Sequence, residues 1–592
     1  MNAPILSHDA PDVPAAGQAP DAMQQALLAL FEPLSRPDAP GLVVGIAQHG
    51  RVLLRRGWGL ASVALRTPNT PGQRLRIGST SKHFTCLAAL LLAEDGLLEI
   101  DAPVGRFLPE WPRTLAQPTL RQLMTHTAGA RCHFDLVLLA SGMSRRPAGA
   151  VMRTLLRQSA LNFRPGSEFL YSNGGYELLS EVIERAAGMP FAQVLRTRIF
   201  EPLGMHQTVS LPDDDVLLPG LAELHLPQPD GSWRRGYLPM PDFRGDGAMV
   251  STVDDMLTWL AHLRAPGVVG TADTWRQMLQ TAQLDDGEPL PYALGLMRQD
   301  YRGVEVVHHA GGVVGGSCQM LTVPAHGLDV ILMLNGAPHN PMELAWRVVD
   351  AVLGPRVLRP PRPLARAARF AGLPGTRYRD PQTRFVAEFS DQAGHLALKS
   401  WNLLPVPMHD DGQVLRIGAD DMPEDGITIA VADLLAAGTA PAELPVRRGR
   451  RLLRLQRLVA AGEVDDATAG ADLVGCYRAE DLAADVRIER HGAALQMFVQ
   501  ADAPAVRGVL QAWAPDVFGL TVPDVPEVPL GGVLSVQREA GRVTGLMLDT
   551  FRSRGLWLRR LPGRDGRDGP DGQDGQQERQ DGTIRSDPAP RP

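Results

Sequence analysis

The sequence predicts an α/β domain over about the first 330 residues, followed by two small all-β units. In the first part, strand-like runs lie at both ends with helical patterns between them, so the sheet closes only when those ends meet. From Ala371 onward, short alternating strands follow one another, and units of about 90 residues with this pattern fit barrels or sandwiches. We therefore expect one α/β unit and two all-β units, in that order.

Hydrophobic periodicity places the elements of the first domain. Residues 42–48 and 52–58 are apolar runs joined by His49-Gly50, which is typical of a β-hairpin. Residues 79–94 repeat apolar side chains close to one helical face, and Asp95-Gly96 ends that helix. The other predicted elements are helices at 175–187, 191–200 and 341–352 and strands at 304–309, 317–323 and 328–334.

Composition divides the chain into six segments. They are a tail at 1–22, an α/β domain at 23–357, a linker rich in proline and arginine at 358–370, all-β units at 371–464 and 465–562, and a tail at 563–592. The tails are low in complexity and too polar to bury a core, so we expect both to be disordered. The all-β units open on similar stretches, 375–380 and 475–480, which suggests two copies of one unit.

Composition and charge exclude several classes of protein. A net charge of −7 over 592 residues argues against a nucleic-acid-binding surface. The N-terminus lacks the basic and apolar regions of a secretory signal, and no run approaches the roughly 18 apolar residues that a membrane span requires. The four cysteines have no Cys-x-x-Cys spacing, so we expect reduced thiols and a cytoplasmic location, with neither nucleic acid nor membrane as a partner.

Lysine is rare in this chain, since only Lys82 and Lys399 occur among 59 basic residues. Arginine stays protonated in any protein environment, whereas a buried lysine can lose its proton and act as a base. Lys82 closes the motif Ser79-Thr80-Ser81-Lys82, and Ser-x-x-Lys is the nucleophile-and-base element of a family of serine acyl-enzymes. Residues i and i+3 share a helix face, so we expect the hydroxyl and the amine to meet at the start of the helix.

Two further motifs follow in chain order. Tyr171-Ser172-Asn173 provides a phenol that can relay a proton to a leaving group and an amide that can hold the lysine. In His309-Ala310-Gly311-Gly312, the glycines let a substrate backbone lie against a strand edge. There the N–H groups of Gly312 and Ser79 can bind an oxyanion. Either motif alone also fits a structural turn, but the ordered combination with Ser-x-x-Lys predicts a catalytic site.

Five phrases within residues 35–355 carry a more specific signal: GSTSKHFTCLAALLL, LRQLMTHTAGA, PGSEFLYSNGGYELLSEVIE, RIFEPLGM and HHAGGVVGG. They resemble the penicillin-recognising serine hydrolases, which include class C β-lactamases, D-alanyl-D-alanine carboxypeptidases and related esterases. The resemblance implies a β-lactamase-like fold, with an antiparallel sheet flanked by helices and a helical lobe. It also implies Ser79 as the nucleophile, Lys82 as the general base, Tyr171 and Asn173 as the second motif, and His309 and Gly311 as the third.

The C-terminal half narrows the resemblance to the bacterial D-aminopeptidases, which continue with two antiparallel β-barrels. The segments that carry it are SxSKxFTC, DLVGCYRAEDLAAD and GRVTGLMLDTFRSRGLWLRR. The resemblance implies that loop 523–533 of the last barrel reaches the catalytic cleft and provides an acidic group for the free α-amine of the substrate. Glu527 falls at the acidic position, with Asp524 as the alternative, while a solvated proline-rich surface loop is the competing interpretation.

These observations lead to one hypothesis and two alternatives. The hypothesis is a serine hydrolase that releases N-terminal D-amino acids from peptides, amides or esters through an acyl-enzyme, with no metal or cofactor. Its substrate has a free D-amino terminus and contacts Glu527, Asp524 and Gly311, and the resemblance suggests a homodimer. The alternatives are an esterase or β-lactam hydrolase of the same fold, and a non-catalytic ligand-binding protein.

Overall fold

The computed structural model describes residues 21–562, apart from 337, 402–404, 418–425, 436–438, 459–468, 493, 526–527 and 529. Beyond residues 21 and 22, the two predicted tails lie outside the described residues.

A six-stranded antiparallel sheet forms the centre of the first domain, in the order β10-β11-β12-β13-β1-β2. The strands of this domain are β1 (Leu42–Gln48), β2 (Arg51–Trp58), β3 (Leu60–Ser62), β4 (Thr67–Pro68), β5 (Leu75–Arg76), β6 (Val209–Ser210), β7 (His225–Pro227), β8 (Trp233–Arg235), β9 (Met249–Ser251), β10 (Met297–Tyr301), β11 (Val304–Val313), β12 (Gly316–Val323) and β13 (Leu328–Leu334). Because β1 pairs with β13, the sheet closes where the ends of the domain meet, as the sequence predicts.

The hairpin of β1 and β2 is confirmed, and its turn explains the residues found there. His49 has φ of +51° and Gly50 has φ of +80°, so both turn residues adopt the left-handed conformation. Two-residue turns of this kind match the right-handed twist of the strands they connect.

Helices cover both faces of the sheet. They are α1 (Ala22–Phe31), α2 (Lys82–Glu94), α3 (Leu120–Met124), α4 (His133–Ser141), α5 (Ala150–Leu156), α6 (Asn173–Ala187), α7 (Phe191–Leu195), α8 (Glu201–Leu203), α9 (Val253–Arg264), α10 (Ala272–Leu279) and α11 (Pro341–Leu353), with a π-helical turn at Arg196–Phe200. The two faces explain why residues 42–47 of β1 are all apolar. Val44 packs in the cluster beneath α1 and α11, whereas its neighbour Val43 packs in the cluster that contains α2 and α9.

Two closed eight-stranded antiparallel barrels follow the first domain, which confirms the predicted fold class and selects barrels over sandwiches. The middle barrel contains β14 (Arg377–Arg379), β15 (Val386–Gln392), β16 (His395–Ser400), β17 (Val406–Asp410), β18 (Val414–Ile417), β19 (Ile427–Ala430), β20 (Glu443–Arg448) and β21 (Arg451–Arg457), with α12 (Val431–Leu435). The last barrel contains β22 (Gly475–Ala479), β23 (Ala484–His491), β24 (Ala494–Gln500), β25 (Val506–Ala514), β26 (Val517–Thr521), β27 (Gly531–Glu539), β28 (Arg542–Thr550) and β29 (Leu556–Arg560).

The segment 358–370, predicted as a linker, lies along the middle barrel. The Ala365 N–H donates to the Met408 carbonyl at 2.8 Å, and Ala365 is fully buried. A short 3₁₀ turn, Ala367–Phe370, then leads into the barrel. This proline-rich segment is therefore extended, as its composition predicts, and it is hydrogen-bonded to the surface of the middle barrel.

Candidate active site

Ser79 lies where the chain leaves β5 and turns into α2. The turn is the 3₁₀ segment Gly78–Ser81, and Gly78 has φ of +54°. A β-carbon at Gly78 would come within 2.6 Å of the Gly312 nitrogen, and one at Gly311 would come within 1.9 Å of the Ile77 oxygen. Glycine on both sides therefore lets the serine turn lie directly against β11. The Ser79 N–H opens a helix, where the first N–H groups have no partner within the helix.

Lys82 is fully buried at the start of α2 and its amine has three neighbours. Nζ lies 3.0 Å from the Ser79 Oγ, 2.9 Å from the Asn173 Oδ1 and 2.5 Å from the Asp246 carbonyl oxygen. Two of these neighbours are oxygens that can only accept a hydrogen bond. A neutral amine has two N–H groups and one lone pair, so these acceptors take both N–H groups. The lone pair then faces Ser79, which is the arrangement a general base requires.

Burial lowers the pKa of Lys82 from 10.5 to about 7. Asp246 acts in the opposite direction, and the positive charge of Arg552 lowers the pKa further. A lysine with this pKa is neutral in a large fraction of molecules at neutral pH, so it can accept the serine proton.

Behind the lysine lies a buried acidic residue that sequence analysis did not identify. Asp246 is fully buried, and burial followed by the neighbouring Glu177 raises the pKa of its carboxyl well above the usual range. Its Oδ2 lies 3.5 Å from the His133 Nε2, and burial holds the pKa of that imidazole at about 3. Lys82 thus contacts the backbone carbonyl of Asp246, and the raised pKa of the Asp246 carboxyl reduces the negative charge that favours an ammonium ion at Lys82.

Tyr171 lies beside the lysine, two residues before α6 begins. The centre of its ring is 4.8 Å from the Lys82 Nζ and 4.7 Å from the Arg552 guanidinium carbon. On another side the ring packs against His126, with ring centres 4.1 Å apart. Tyr171 is therefore held between two basic side chains and an imidazole, and it lines the same cavity as Ser79. Asn173 begins α6, which explains how the motif brings its amide to the lysine.

A chain of hydrogen bonds connects the second motif to the third. The Ser172 N–H donates to His126 Nδ1 at 3.0 Å, so the proton of that neutral imidazole lies on Nε2 and points to the Tyr292 hydroxyl at 3.1 Å. The hydroxyl in turn donates to His309 Nε2 at 3.1 Å. His309 Nδ1–H donates to the Ala310 carbonyl at 2.5 Å. The proton positions along these hydrogen bonds follow from their two ends, because the Ser172 N–H can only donate and the Ala310 carbonyl can only accept.

These hydrogen bonds involve both nitrogens of the His309 ring. Burial lowers the pKa of His309 to about 3 and that of His126 well below its usual range, so both rings are neutral. Both nitrogens of His309 are engaged within the protein. The His309 ring is therefore held through both nitrogens at the start of the Gly311-Gly312 edge, and its catalytic role stays a prediction.

A cavity of about 320 Å³ opens over Ser79. Its lining is mainly apolar and includes Ser79, Phe169, Tyr171, Tyr292, Met297, His309, Gly311, Gly312, Pro341, Met342 and Arg552. Among the described lining residues, Arg552 is the only one from the barrels, and it lies between β28 and β29. The structure therefore brings the three predicted motifs together around one cavity and adds a cation from the last barrel.

The loop predicted to bind the substrate amine is only partly described. Glu527 lies outside the described residues. Asp524 pairs with Arg507 of the same barrel, 3.3 Å from its guanidinium, and is not among the described residues that line the cavity. Val525 is fully buried in a hydrophobic cluster that also contains Leu136, Leu138 and Leu139 of α4, so this part of the loop shares a core with the first domain.

Sequence reasoning missed four residues of this site: His126, Asp246, Tyr292 and Arg552. His126 lies in the phrase LRQLMTHTAGA and Arg552 in GRVTGLMLDTFRSRGLWLRR, so both were inside stretches already singled out. Asp246 and Tyr292 had no motif around them. All four reach the site through tertiary packing, which spacing along the chain does not reveal.

In the part of the chain that the structure describes, no group of three or more His, Cys, Asp and Glu side chains could hold a metal ion. Within the same residues, no helix combines the length and the apolar composition needed to cross a membrane.

Comparison with known proteins places this site in a family. The Beta-lactamase family profile matches residues 27–353, which is more than half of the chain. The D-aminopeptidase of Brucella melitensis biotype 1 is 27% identical over 537 residues, covering 88% of this chain and 96% of that protein. The D-aminopeptidase of Gluconobacter oxydans is 27% identical over 547 residues, covering 89% of this chain and 97% of that protein.

Among solved structures, SurE is 25% identical, with a TM-score of 0.50 over 74% of this chain and 100% of that chain. The family profile spans all three motifs, and the geometry joins their side chains around Ser79. This chain belongs to the Beta-lactamase family.

Proposed function

We propose that this protein is a serine D-aminopeptidase, which releases N-terminal D-amino acids from peptides, amides or esters through an acyl-enzyme. The observation that carries the proposal is the buried Lys82 amine, which lies 3.0 Å from the Ser79 Oγ and within hydrogen-bond distance of two further oxygens. The relatives named D-aminopeptidase support the substrate class, because their similarity extends over 88–89% of the chain and so includes both barrels.

Acylation begins with neutral Lys82. As the Ser79 Oγ bonds to the substrate carbonyl carbon, its proton moves to the Lys82 Nζ, 3.0 Å away. The carbonyl oxygen becomes an oxyanion between the N–H groups of Ser79 and Gly312, and this stabilisation lowers the barrier.

Collapse of the tetrahedral intermediate breaks the bond to the leaving amine. Tyr171 gives its hydroxyl proton to that amine, and the proton on Lys82 then returns to the phenolate oxygen. The two nearby basic groups stabilise the phenolate while it exists, since both lie within 5 Å of the ring centre. Water then attacks the ester carbonyl carbon and passes a proton to neutral Lys82. The bond between that carbon and the Ser79 Oγ breaks, and Oγ takes the proton back from Lys82 as the D-amino acid leaves.

The cavity fits a small apolar D-residue. Phe169, Met297 and Met342 form an apolar wall close to the nucleophile. Recognition of the free ammonium by an acidic residue of loop 523–533, with Glu527 first and Asp524 second, stays a proposal for this chain.

The test compares D-alanine p-nitroanilide with its N-acetylated form and its L-enantiomer. We expect cleavage of the free-amine D-compound alone, and none by the Ser79→Ala variant. Equal cleavage with and without the acetyl group would show that the enzyme needs no free amine and is not an aminopeptidase, and activity on simple esters alone would indicate an esterase. A protein inert toward all three compounds and simple esters contradicts the proposal.

Two further parts of the proposal concern the protein as a whole. We place it in the cytoplasm, because all four cysteines are free thiols and three of them are buried. We also propose a homodimer, which light scattering after size-exclusion chromatography measures directly.

A further inference from the structure

One loop of the last barrel is built into the first domain. It connects β28 to β29 and is held through its backbone. Asp135 Oδ2 accepts hydrogen bonds from the Thr550 hydroxyl at 2.6 Å and the Arg552 N–H at 3.1 Å, while Asn162 Nδ2 donates to the Arg552 carbonyl at 3.0 Å. The backbone of Arg552 is thus held on both sides by side chains of the first domain.

A buried arginine of the first domain fixes the rest of the loop. Arg131 donates to the Arg554 carbonyl at 3.0 Å and the Gly555 carbonyl at 2.8 Å, and it forms an ion pair with Asp481 at 2.6 Å. The Arg131 side chain is only 1% exposed and that of Asp481 only 6%. The loop therefore has a defined position, and so has the point from which the Arg552 side chain extends.

The Arg552 side chain extends into the catalytic cavity. It lines the same cavity as Ser79, and its guanidinium carbon lies 4.7 Å from the centre of the Tyr171 ring. A guanidinium is charged at every working pH and carries five N–H donors in a planar fork that matches a carboxylate. With so many donors it can keep contacts within the protein and still bind a ligand.

We propose that Arg552 forms a subsite for the α-carboxylate of the leaving group, so that the preferred substrates are dipeptides with a free carboxyl terminus. This inference rests on the proposed function and names the substrate class within it. When a dipeptide is cleaved, the amine that receives the proton of Tyr171 and the leaving carboxylate are attached to the same carbon atom. A cation packed on the Tyr171 ring is therefore within reach of that carboxylate.

The fixed position of Arg552 limits the length of the peptides whose terminal carboxylate it can bind. In a longer peptide the carboxylate lies at least one residue further from the leaving amine, beyond a side chain whose backbone is fixed. An amidated or p-nitroanilide leaving group has no carboxylate at all. We therefore expect dipeptides to be cleaved faster than either.

The experiment compares D-alanyl-glycine with D-alanyl-glycine amide, which share the free amine and the scissile bond. We expect the wild-type protein to favour the free acid in kcat/KM by about 10- to 100-fold, the range for hydrogen bonds to charged groups. Arg552→Gln should lose this preference, and Arg552→Lys should keep part of it, since it keeps the charge but loses the fork. Arg559→Gln is the matched control, because Arg559 lies on β29 with a side chain 51% exposed and should leave the ratio unchanged.

The ratio of kcat/KM for the two dipeptides separates carboxylate recognition from other effects of the Arg552 charge. Loss of Arg552 also alters the pKa of Lys82, but that change affects both dipeptides equally and cancels in the ratio. Equal rates for the two dipeptides in the wild type, or an unchanged ratio in Arg552→Gln, would overturn the subsite while leaving the aminopeptidase proposal intact. Failure to cleave either dipeptide or D-alanine p-nitroanilide would overturn both.

Discussion

The two barrels are built alike but contact the first domain in different ways. Each has eight strands, and each begins with a strand whose tyrosine is fully buried: Tyr378 in β14 and Tyr477 in β22. Each tyrosine hydroxyl donates to a carbonyl, at 2.9 Å and 2.7 Å respectively. These equivalent positions fall in the two similar opening stretches, which supports two copies of one unit.

Their contacts with the first domain differ in burial. From the middle barrel, Arg451 binds Glu168 at 2.9 Å and the Ser167 carbonyl at 2.7 Å, with its side chain 42% exposed. The last barrel makes the buried contacts to Arg131 and Asp135 and places Arg552 in the cavity. Two barrels of the same architecture can therefore have different roles. The last barrel contributes to the cavity through the loop between β28 and β29, whereas no described residue of the middle barrel lines it.

The largest expected loss of activity comes from replacing Lys82 in the first domain. Lys82→Arg puts a side chain that cannot give up its proton in the position of the base, so kcat should fall by about 10²- to 10⁴-fold. Steady-state kinetics on D-alanine p-nitroanilide measures the loss, with circular dichroism to check that the variant is folded. A variant within a factor of about 3 of wild type would remove Lys82 from the role of base.

A matched pair of arginine substitutions tests the difference in burial. Arg131→Met leaves Asp481 buried without its partner and should lower the free energy of unfolding by about 3–5 kcal/mol. Arg451→Met removes an exposed pair and should cost about 0–1 kcal/mol. Urea unfolding followed by tryptophan fluorescence gives both values. Similar losses in the two variants would contradict the contrast between the barrels.

The pH dependence of activity tests the influence of the last barrel on the base. Activity should rise as pH increases through about 7, because Lys82 must be neutral and burial brings its pKa to about 7. Arg552 lowers that pKa further, so Arg552→Gln should move the acidic limb of the kcat/KM profile to higher pH. Arg451→Met should leave the limb in place. A shift to lower pH in Arg552→Gln, or the same shift in both, would contradict the account.

Substitutions of the two corresponding tyrosines should lower the stability of the two barrels by similar amounts. Tyr378→Phe and Tyr477→Phe each remove one hydrogen bond to a carbonyl, which should cost about 1 kcal/mol in each barrel. Thermal unfolding of the two variants provides the comparison. A loss of activity in only one of them would show that the opening strands have different roles.

The sequence predicted the parts of this site that depend on local geometry. Ser79 and Lys82 are three residues apart at the start of a helix, so their contact needs little from the rest of the fold. The hairpin of β1 and β2 followed from two apolar runs and the two turn residues between them for the same reason. The second and third motifs were also found, but the hydrogen bonds that join them through Tyr292 were not.

Contacts made across the whole chain could not be predicted. Asp135 and Arg552 are 417 residues apart, and their contact depends on how a barrel packs against the helical lobe. Asp246 lies in a loop without regular structure and reaches Lys82 through its carbonyl. A cation in the cavity was not expected either, because the family resemblance directed attention to an acidic loop.

The most direct test of the central claim is to trap the acyl-enzyme. A D-alanine p-nitrophenyl ester is mixed with the protein, quenched in acid within milliseconds, and the digest is examined by mass spectrometry. We expect a D-alanyl group on the peptide that contains Ser79, absent from Ser79→Ala and from reactions with the L-enantiomer. Turnover without any such adduct, or an adduct on another residue that persists in Ser79→Ala, would contradict it.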